Sequence, residues 1–520
     1  MSQDIIIGID AGTSVIKSVA FDSSGHQLDI ASTPNIYQTD AGGAATQSLE
    51  QTWRGCAQTL RALGEKIPNL AERVLAISVT GQGDGTWLVG KDNAPVGDGW
   101  LWLDARAGAL AETLRQTDGD AARYLATGTG LNACQQGVQL LHMKTHTPES
   151  LTQAECAFHC KDWLYLNLTG VRATDPSEAC FTFGDFRTRQ YSDDVISFYG
   201  LNSHKSLLAP ICDGTQTTHE LTDQAAAQTG LLQGTPVSLG FVDVICTTLG
   251  AGGYMPGQET GCTIVGTTGV HIRCKSASDV QLNTRERTGY VMLTPAPQQV
   301  AHLQTNMAGT LNIDWVIGLA QDVCKASGTD VGPAQLLGLL EQWMAESTPG
   351  SLIYHPHISE AGERGPFIDH TARASFIGLS TAHGFADLIR GAIEGLAMAS
   401  RDCYQAMGSV PKSVTLTGGA ARSPALRATL AATLGACVRQ SSRAEAGAAG
   451  AAMMAAVAHG VYANLQDCMQ DWVSPLLSAP EEPDAQLTAI YDRIFPEYLS
   501  SRDVIKPLWK TLEQRRSTLL

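Results

Sequence analysis

Ile5-Ile6-Ile7-Gly8-Ile9-Asp10-Ala11-Gly12-Thr13-Ser14-Val15-Ile16-Lys17-Ser18-Val19-Ala20-Phe21-Asp22 is the stretch that orders the rest of the chain. Two short β-branched runs flank a turn rich in Gly and hydroxyl groups, which reads as two strands of a hairpin. The turn has its own chemistry. Gly12 lets the backbone approach a ligand, Thr13 and Ser14 offer hydroxyls and N–H groups, and Lys17 brings a positive charge. Successive backbone donors form a nest for phosphate, and a carboxylate such as Asp10 beside it suits Mg²⁺. Taken alone, the same residues also serve an ordinary turn.

The chain repeats this layout. After the hairpin come a third strand at Gln27–Ala31, a helix carrying Leu49, Trp53, Cys56, Leu60 and Leu63 on one face, and a strand at Val74–Thr80. Roughly 250 residues later a second strand–turn–strand runs from Gly261 to Arg273, turning at Gly266-Thr267-Thr268. Two equivalent hairpins point to a duplicated α/β unit. The expected division is residues 1–248 and 249–520. The second half continues with a helix through Phe385, Leu388, Ala392, Leu396 and Ala399, then a strand at Ser413–Leu416. Thr417-Gly418-Gly419 follows, then Ser423 and Pro424 as N-cap and first residue of a helix through Leu434. Ala444–His459 reads as a close-packing helix of small residues. Thr174–Ser192 reads as a turn-rich polar region. A helical tail from about 465 is expected to be broken by Pro496 and Pro507.

With 520 residues, two or more domains are expected. The net charge of −16 argues against nucleic acid or an anionic membrane as main partner. No apolar run reaches transmembrane length, and Met1–Asp4 lacks the basic start of a signal peptide. An odd 13 Cys fit reduced thiols, hence a cytoplasmic protein. Gly85–Lys91 nearly spells a P-loop, but Asp92 stands where Ser or Thr should follow and no helix pattern comes after. Cys156, His159 and Cys160, His142 with His146, and His355 with His357 lack a complete set of metal ligands.

The separated motifs together resemble the FGGY carbohydrate kinases, the family that includes glycerol kinase, xylulokinase, ribulokinase and erythritol kinase. They are GIDAGTSVIK (8–17), TGQGDG (80–85), LWLDARA (101–107), GFVDV (240–244), GTTG (266–269), ERGPFID (363–369) and LTGGAARSP (416–424). The resemblance implies two ribonuclease H-like domains, as in actin and hexokinase, with the active site between them. It implies Asp243 as catalytic base and, with Asp10, as part of a Mg²⁺ site. It implies Gly12, Thr13, Ser14 and Lys17 as the first phosphate loop and Gly266 and Thr267 as the second. Gly309, Gly419 and Ser423 fall to the nucleotide, so ATP and Mg²⁺ are the expected cofactors, and a homodimer is the family expectation.

The sugar-facing set expected from the first domain is Gln82, Asp84, Asp104 and Arg106, with Trp87, Trp100 and Trp102 nearby as wall or core. Where ketose kinases of the family commonly carry Met-His, this chain has Gly83-Asp84, and an acceptor there suits hydroxyls rather than a carbonyl. The QGDGTW and GWLWLDARA strings look most like the erythritol kinases, and the Arg-Glu pair of glycerol kinases is absent. Val244 departs from the Asn or Gln common beside the base. The expected activity is transfer of the γ-phosphate of ATP to a terminal hydroxyl of a small polyol, erythritol first and a pentulose as the alternative. An actin- or Hsp70-like nucleotide switch is the reading from another class, and a sugar-sensing regulator is a third.

Overall fold

The computed structural model describes residues 4–255 and 259–519; Met1–Gln3, part of the segment weighed above as a leader, lie outside them. The opening hairpin is β1 (Ile5–Ala11) and β2 (Val15–Asp22), antiparallel, with Asp10 opposite Lys17. β3 (Gln27–Pro34) adds to it antiparallel and runs past the expected end at Ala31. α1 (Leu49–Lys66) starts on an Ser48 N-cap and buries the expected face of Leu49, Trp53, Cys56, Leu60 and Leu63. β4 (Val74–Gly81) then lies parallel to β1.

The chain now leaves the sheet. α2 (Cys160–Thr169) closes on Gly170, whose φ of 74° is the left-handed C-cap that glycine adopts without a Cβ penalty. Thr174–Ser192, expected to be turns, instead contains α3 (Pro176–Phe183), and all of that helix is buried. Its polar opening is a helix start: Asp175 accepts the N–H groups of Ser177 and Glu178, and Pro176 takes the first position. The polar side chains face a buried ionic cluster rather than water. β5 (Thr218–Glu220) and β6 (Pro236–Leu239) complete the sheet in the order β5-β6-β4-β1-β2-β3.

α4 (Asp243–Gly250) leads to the second sheet. β7 (Thr260–Val265) and β8 (Gly269–Ser276) are the repeated hairpin. β9 (Tyr290–Leu293) and β10 (Gln299–Asn306) follow, then α5 (Leu311–Ala326) and α6 (Phe385–Ala406). β11 (Ser413–Thr417), α7 (Pro424–Leu434), β12 (Cys437–Gln440) and α8 (Ala446–Ala458) end the unit. The order is β9-β10-β8-β7-β11-β12. From its first strand each sheet steps through two antiparallel pairings on one side and two parallel pairings on the other; the sixth strand, paired antiparallel, extends the parallel side in the first sheet (β5) and the antiparallel side in the second (β9). The duplication read from the two turns is therefore a duplication of topology.

α8 belongs to the second half in sequence but packs on the first sheet. A Cβ on Gly8 of β1 would stand 1.9 Å from the carbonyl oxygen of Ala448, and one on Gly450 would stand 1.9 Å from that of Cys246 in α4. Backbones this close need small residues, which is why α8 reads AGAAGAA at its start. Around it one core joins Ile6, Val19 and Phe21 of the first sheet to Cys262, Ile272 and Leu303 of the second.

The tail departs from expectation. α9 (Ala485–Leu519) is continuous, with Pro496 and Pro507 inside it. A mid-helix proline costs about 3 kcal/mol. Burial offsets that cost: Tyr491, Phe495 and Tyr498 pack against Met398 and Ala432, and Trp509 packs against Phe367 and Ala372.

Candidate active site

The first turn leaves β1 with the Thr13 hydroxyl donating to Gln82 Oε1 (2.9 Å) and accepting the Trp102 indole N–H (2.8 Å). The Thr13 carbonyl accepts from Gln47 Nε2 (3.1 Å), and the carbonyl of exposed Ser14 takes the Asn35 N–H (2.8 Å). Lys17 pairs with Glu445 just before α8 at 2.7 Å, a contact between the two halves. The second turn is tied to the start of α5: Gly309 N–H donates to the Thr267 carbonyl (2.7 Å) and Thr310 N–H to that of Gly266 (2.8 Å). A Cβ on Gly309 would come within 2.5 Å of the Gly266 oxygen, so only glycine fits there. A cleft of about 480 Å³ is lined among others by Asp10, Lys17, Thr247, Gly419, Glu445 and Gly447, whereas Gly12, Thr13, Ser14, Gly266, Thr267, Gly309 and Ser423 stand outside its lining. Ser423 caps α7, accepting the Leu426 N–H (3.3 Å), and its hydroxyl donates to Glu341 (3.4 Å).

Two carboxylates, Asp10 and Asp243, are half-buried. Asp243 opens α4 directly after β6, and its Oδ1 accepts the Val244 N–H at 2.6 Å. Burial, then the charge of Asp10, pushes Asp243 up to about 7. Asp10 itself is pushed up to about 6 by burial, against the pull of Lys17. A carboxylate pair that resists carrying two charges is relieved by a divalent cation, so these donors fit Mg²⁺. Among the described residues no group of three or more His, Cys, Asp or Glu is arranged to hold a metal. Mg²⁺ needs fewer, taking one or two carboxylates with waters and phosphate oxygens.

Of the four residues expected to face the sugar, Asp84 alone keeps a buried carboxylate oxygen, Oδ1, without a partner. Its Oδ2 takes the Cys134 thiol at 3.5 Å, and burial raises it to about 6. Gln82 is buried with both ends engaged, on Thr13 and on Gln47 (2.7 Å). Asp104 is buried, accepting the Ala45 N–H (2.9 Å) and the Arg106 guanidinium (2.6 Å). Arg106 lies on the Trp100 ring, 3.4 Å from its centroid, and stays partly exposed. Of the three tryptophans, Trp87 is core, whereas Trp102 is 36% exposed beside Thr13.

Sequence reasoning missed what lies beneath. Lys161 sits fully buried between Asp162 (2.7 Å) and Asp175 (2.6 Å). His159 reaches Asp162 through Nδ1 (3.2 Å) and Glu178 through Nε2 (3.4 Å). Burial pushes Glu178 up to about 8; for Asp162 burial is outweighed by Lys161 and His159, which bring it down to about 2. The Ser177 hydroxyl donates to Asp175 and accepts the Val242 N–H at 3.1 Å, so the cluster holds the residue before Asp243. His159 is engaged by carboxylates rather than by Cys156 and Cys160. The available signal was charge embedded in apolar runs, as in Cys160-Lys161-Asp162-Trp163-Leu164-Tyr165. Glu445 carried no signal, because its partner lies 428 positions away.

Residues 5–250 match the N-terminal domain of the FGGY family of carbohydrate kinases, and residues 261–459 match its C-terminal domain. The chain belongs to the FGGY family of carbohydrate kinases. It is 57% identical over 509 residues to erythritol kinase of Brucella abortus (strain 2308), covering 98% of each protein. Among solved structures, ligand-bound xylulose kinase from Lactobacillus acidophilus superposes with a TM-score of 0.86 at 21% identity, over 98% of this chain and 100% of that one. Plasmodium falciparum glycerol kinase with ADP gives 0.78 at 15% identity, over 96% and 99%. These two likenesses show the fold: a two-domain FGGY kinase with the cleft between its halves. Membership in a carbohydrate kinase family sets the nucleotide-switch reading aside. No helix among the described residues of this FGGY kinase is long and apolar enough to cross a membrane.

Proposed function

We propose that this FGGY kinase transfers the γ-phosphoryl group of ATP to a terminal hydroxyl of erythritol. The observation that carries the reading is the position of Asp243, at the start of α4, with Asp10 of the phosphate turn and Asp84 of the acceptor side both acting on its charge. The substrate is supported by the name of the 57%-identical relative, and the nucleotide by the family and by the ADP of the glycerol kinase neighbour.

The acceptor hydroxyl attacks the γ-phosphorus, the bond to the β–γ bridging oxygen breaks, and ADP leaves. Asp243 takes the hydroxyl proton. Because the transition state is loose, the carboxylate mainly aims the hydroxyl and receives the proton late. Gly12, Thr13, Ser14 and Lys17 bind phosphates from the first half, and Gly266 and Thr267 from the second. Gly309, Gly419 and Ser423 are assigned to the nucleotide, Gly419 from the wall of the cleft. Mg²⁺, held through Asp10 and Asp243, would neutralise charge on the phosphates. Asp84 accepts from a substrate hydroxyl, and Arg106, stacked on Trp100, faces the same space. Gln82 and Asp104 serve it indirectly, by fixing Thr13 and Arg106. Residues 1–248 thus form the acceptor half and residues 249–520 the nucleotide half, with the tail from about 465. All 13 cysteines are free, which supports a reducing, cytoplasmic setting, and the family supports a homodimer.

The test is a coupled ADP-release screen over C3–C6 polyols and ketoses with Asp243→Asn as control. Erythritol is expected to lead and Asp243→Asn to keep about a hundredth or less of wild-type turnover. A pentulose leading would replace the substrate and keep the class, and turnover by Asp243→Asn within tenfold of wild type would remove the assigned base.

A further inference from the structure

The loop Glu363–Asp369 carries an arginine that the mechanism above does not use. The Glu363 carboxylate accepts the N–H groups of Met307 (2.8 Å) and Arg364 (2.9 Å) and pairs with His357 (3.0 Å). Glu363 and Asp369 exchange backbone hydrogen bonds of 2.9 and 3.0 Å, closing the loop. On the other side of the arginine, the Gly365 carbonyl accepts from Asn306 (2.8 Å), and the Pro366 carbonyl accepts from Asn283 and Thr288 (2.9 Å each). The backbone of Arg364 is therefore pinned from both directions. Its guanidinium, by contrast, has no hydrogen bond or ion pair with any described residue. A guanidinium offers five donors in a rigid fork that suits oxygen ligands.

Its neighbours show where it acts. The Arg364 charge works on Asp84, Cys134 and Tyr290. These three share one wall. The Cys134 thiol meets Asp84, Gly85 N–H donates to the Cys134 carbonyl (2.8 Å), and Asn132 Nδ2 donates to the Tyr290 hydroxyl (2.9 Å). Tyr290 opens β9 and Arg364 follows it in the second half, whereas Asp84, Asn132 and Cys134 belong to the first. Asp84 stands in this wall with Oδ1 buried and unpartnered, and the Arg364 loop, held on Thr288 two residues before Tyr290, brings the Arg364 charge to bear on Asp84 without an ion pair closing between them. An unmatched acceptor and an unmatched donor across one space fit a ligand that has both functions.

We propose that Arg364 is a specificity-determining residue of the acceptor site, donating to one oxygen of a neutral polyol while Asp84 accepts from a neighbouring hydroxyl. The inference rests on the polyol-kinase reading and adds to it a donor from the second half of the chain. A vicinal diol supplies both an oxygen to accept and a hydroxyl to donate. A carboxylate in the substrate would pair with Arg364 but meet the charge of Asp84. Because the two residues belong to different halves, a polyol between them links acceptor binding to the approach of those halves.

The experiment measures steady-state kinetics of Arg364→Met with erythritol and ATP varied in turn, beside wild type, Asp84→Asn and the double variant. Loss of a charged donor is expected to raise the erythritol KM about 10- to 100-fold while the ATP KM stays within about twofold. The double variant is expected to fall short of the product of the single effects. An unchanged erythritol KM, or an ATP KM that rises as much, overturns the assignment. Should Arg364→Met melt well below wild type, Arg364→Lys, which keeps the charge and loses the fork, is read against the same two outcomes. Failure of the substrate reading is seen separately, as wild-type enzyme idle on erythritol; the same variants are then measured on whichever acceptor the screen identifies.

Discussion

Asp84 is held at φ 56°, in the left-handed region that few residues other than glycine and Asn or Asp enter readily. Its carboxylate is raised to about 6 by burial. A carboxyl group whose folded value is raised favours folding most when protonated, so its contribution is full below about pH 4 and is lost as pH climbs through about 6. The ligand-free enzyme therefore carries a destabilising charge at pH 8, in the place where a substrate hydroxyl would be received. Asp84→Asn, nearly isosteric, should melt higher than wild type at pH 8 without ligand and bind erythritol about tenfold more weakly. Differential scanning fluorimetry and calorimetric titration read the two effects, and a lower melting point at pH 8 would contradict the first. Erythritol affinity of wild type should rise as pH passes upward through about 6, because the acceptor must be ionised. At the neighbouring acid, Asp243→Asn should lower kcat by about 10²–10⁴ with the fold retained; turnover within tenfold of wild type would exclude Asp243 as base.

Helix α8 packs backbone to backbone against β1 and α4. Gly450 and Gly8 each lie against a backbone carbonyl that a Cβ would meet at 1.9 Å, and a carbonyl cannot rotate away as a side chain can. Gly450→Ala and Gly8→Ala should each lose about 3 kcal/mol of stability in urea unfolding, the upper part of the overpacking range. Gly419 provides the contrast. A Cβ there meets nothing within 4 Å, so Gly419→Ala should leave stability unchanged. If the nucleotide lies against this backbone, the same methyl raises the ATP KM, and an unaltered KM would move the nucleotide elsewhere in the cleft. The pair separates glycines needed by the fold from a glycine needed by a ligand, a distinction invisible in the letters themselves.

At the scale of the whole molecule, two sheets of one topology share a core around α8, and the cleft opens beside that shared core. Lys17 and Glu445 already bridge the halves at 2.7 Å beside the first turn, while Arg364 and Asp84, also from different halves, close no ion pair. Ligand on both sides should draw the halves together and exclude water from the phosphoryl group. Small-angle scattering is expected to show a smaller radius of gyration with ADP plus erythritol than with either alone. An identical radius in all states would mean that catalysis proceeds without closure.

Much of this was legible along the chain, and the divide has a physical basis. The opening hairpin, its echo at Gly261–Arg273 and the Ser423 cap are local, because strand alternation and capping oxygens act over a few residues. By itself the amino-acid order determined the duplicated α/β architecture and the two Gly/Thr turns that open its halves. What needed the tertiary structure were features whose partners are remote. Thr174–Ser192 looked like turns because its polar residues find a buried lysine and histidine instead of water. Pro496 and Pro507 looked like breaks because the aromatic packing that holds α9 together comes from other elements. Gln82 and Asp104 looked free because their partners, Gln47 and Ala45, come from another segment. The hairpin from Ile5 to Asp22 announced its own fold from local chemistry, but Glu445 and Gly447 reach the cleft beside Asp10 and Lys17 only because long-range packing, which no local pattern encodes, carries them there.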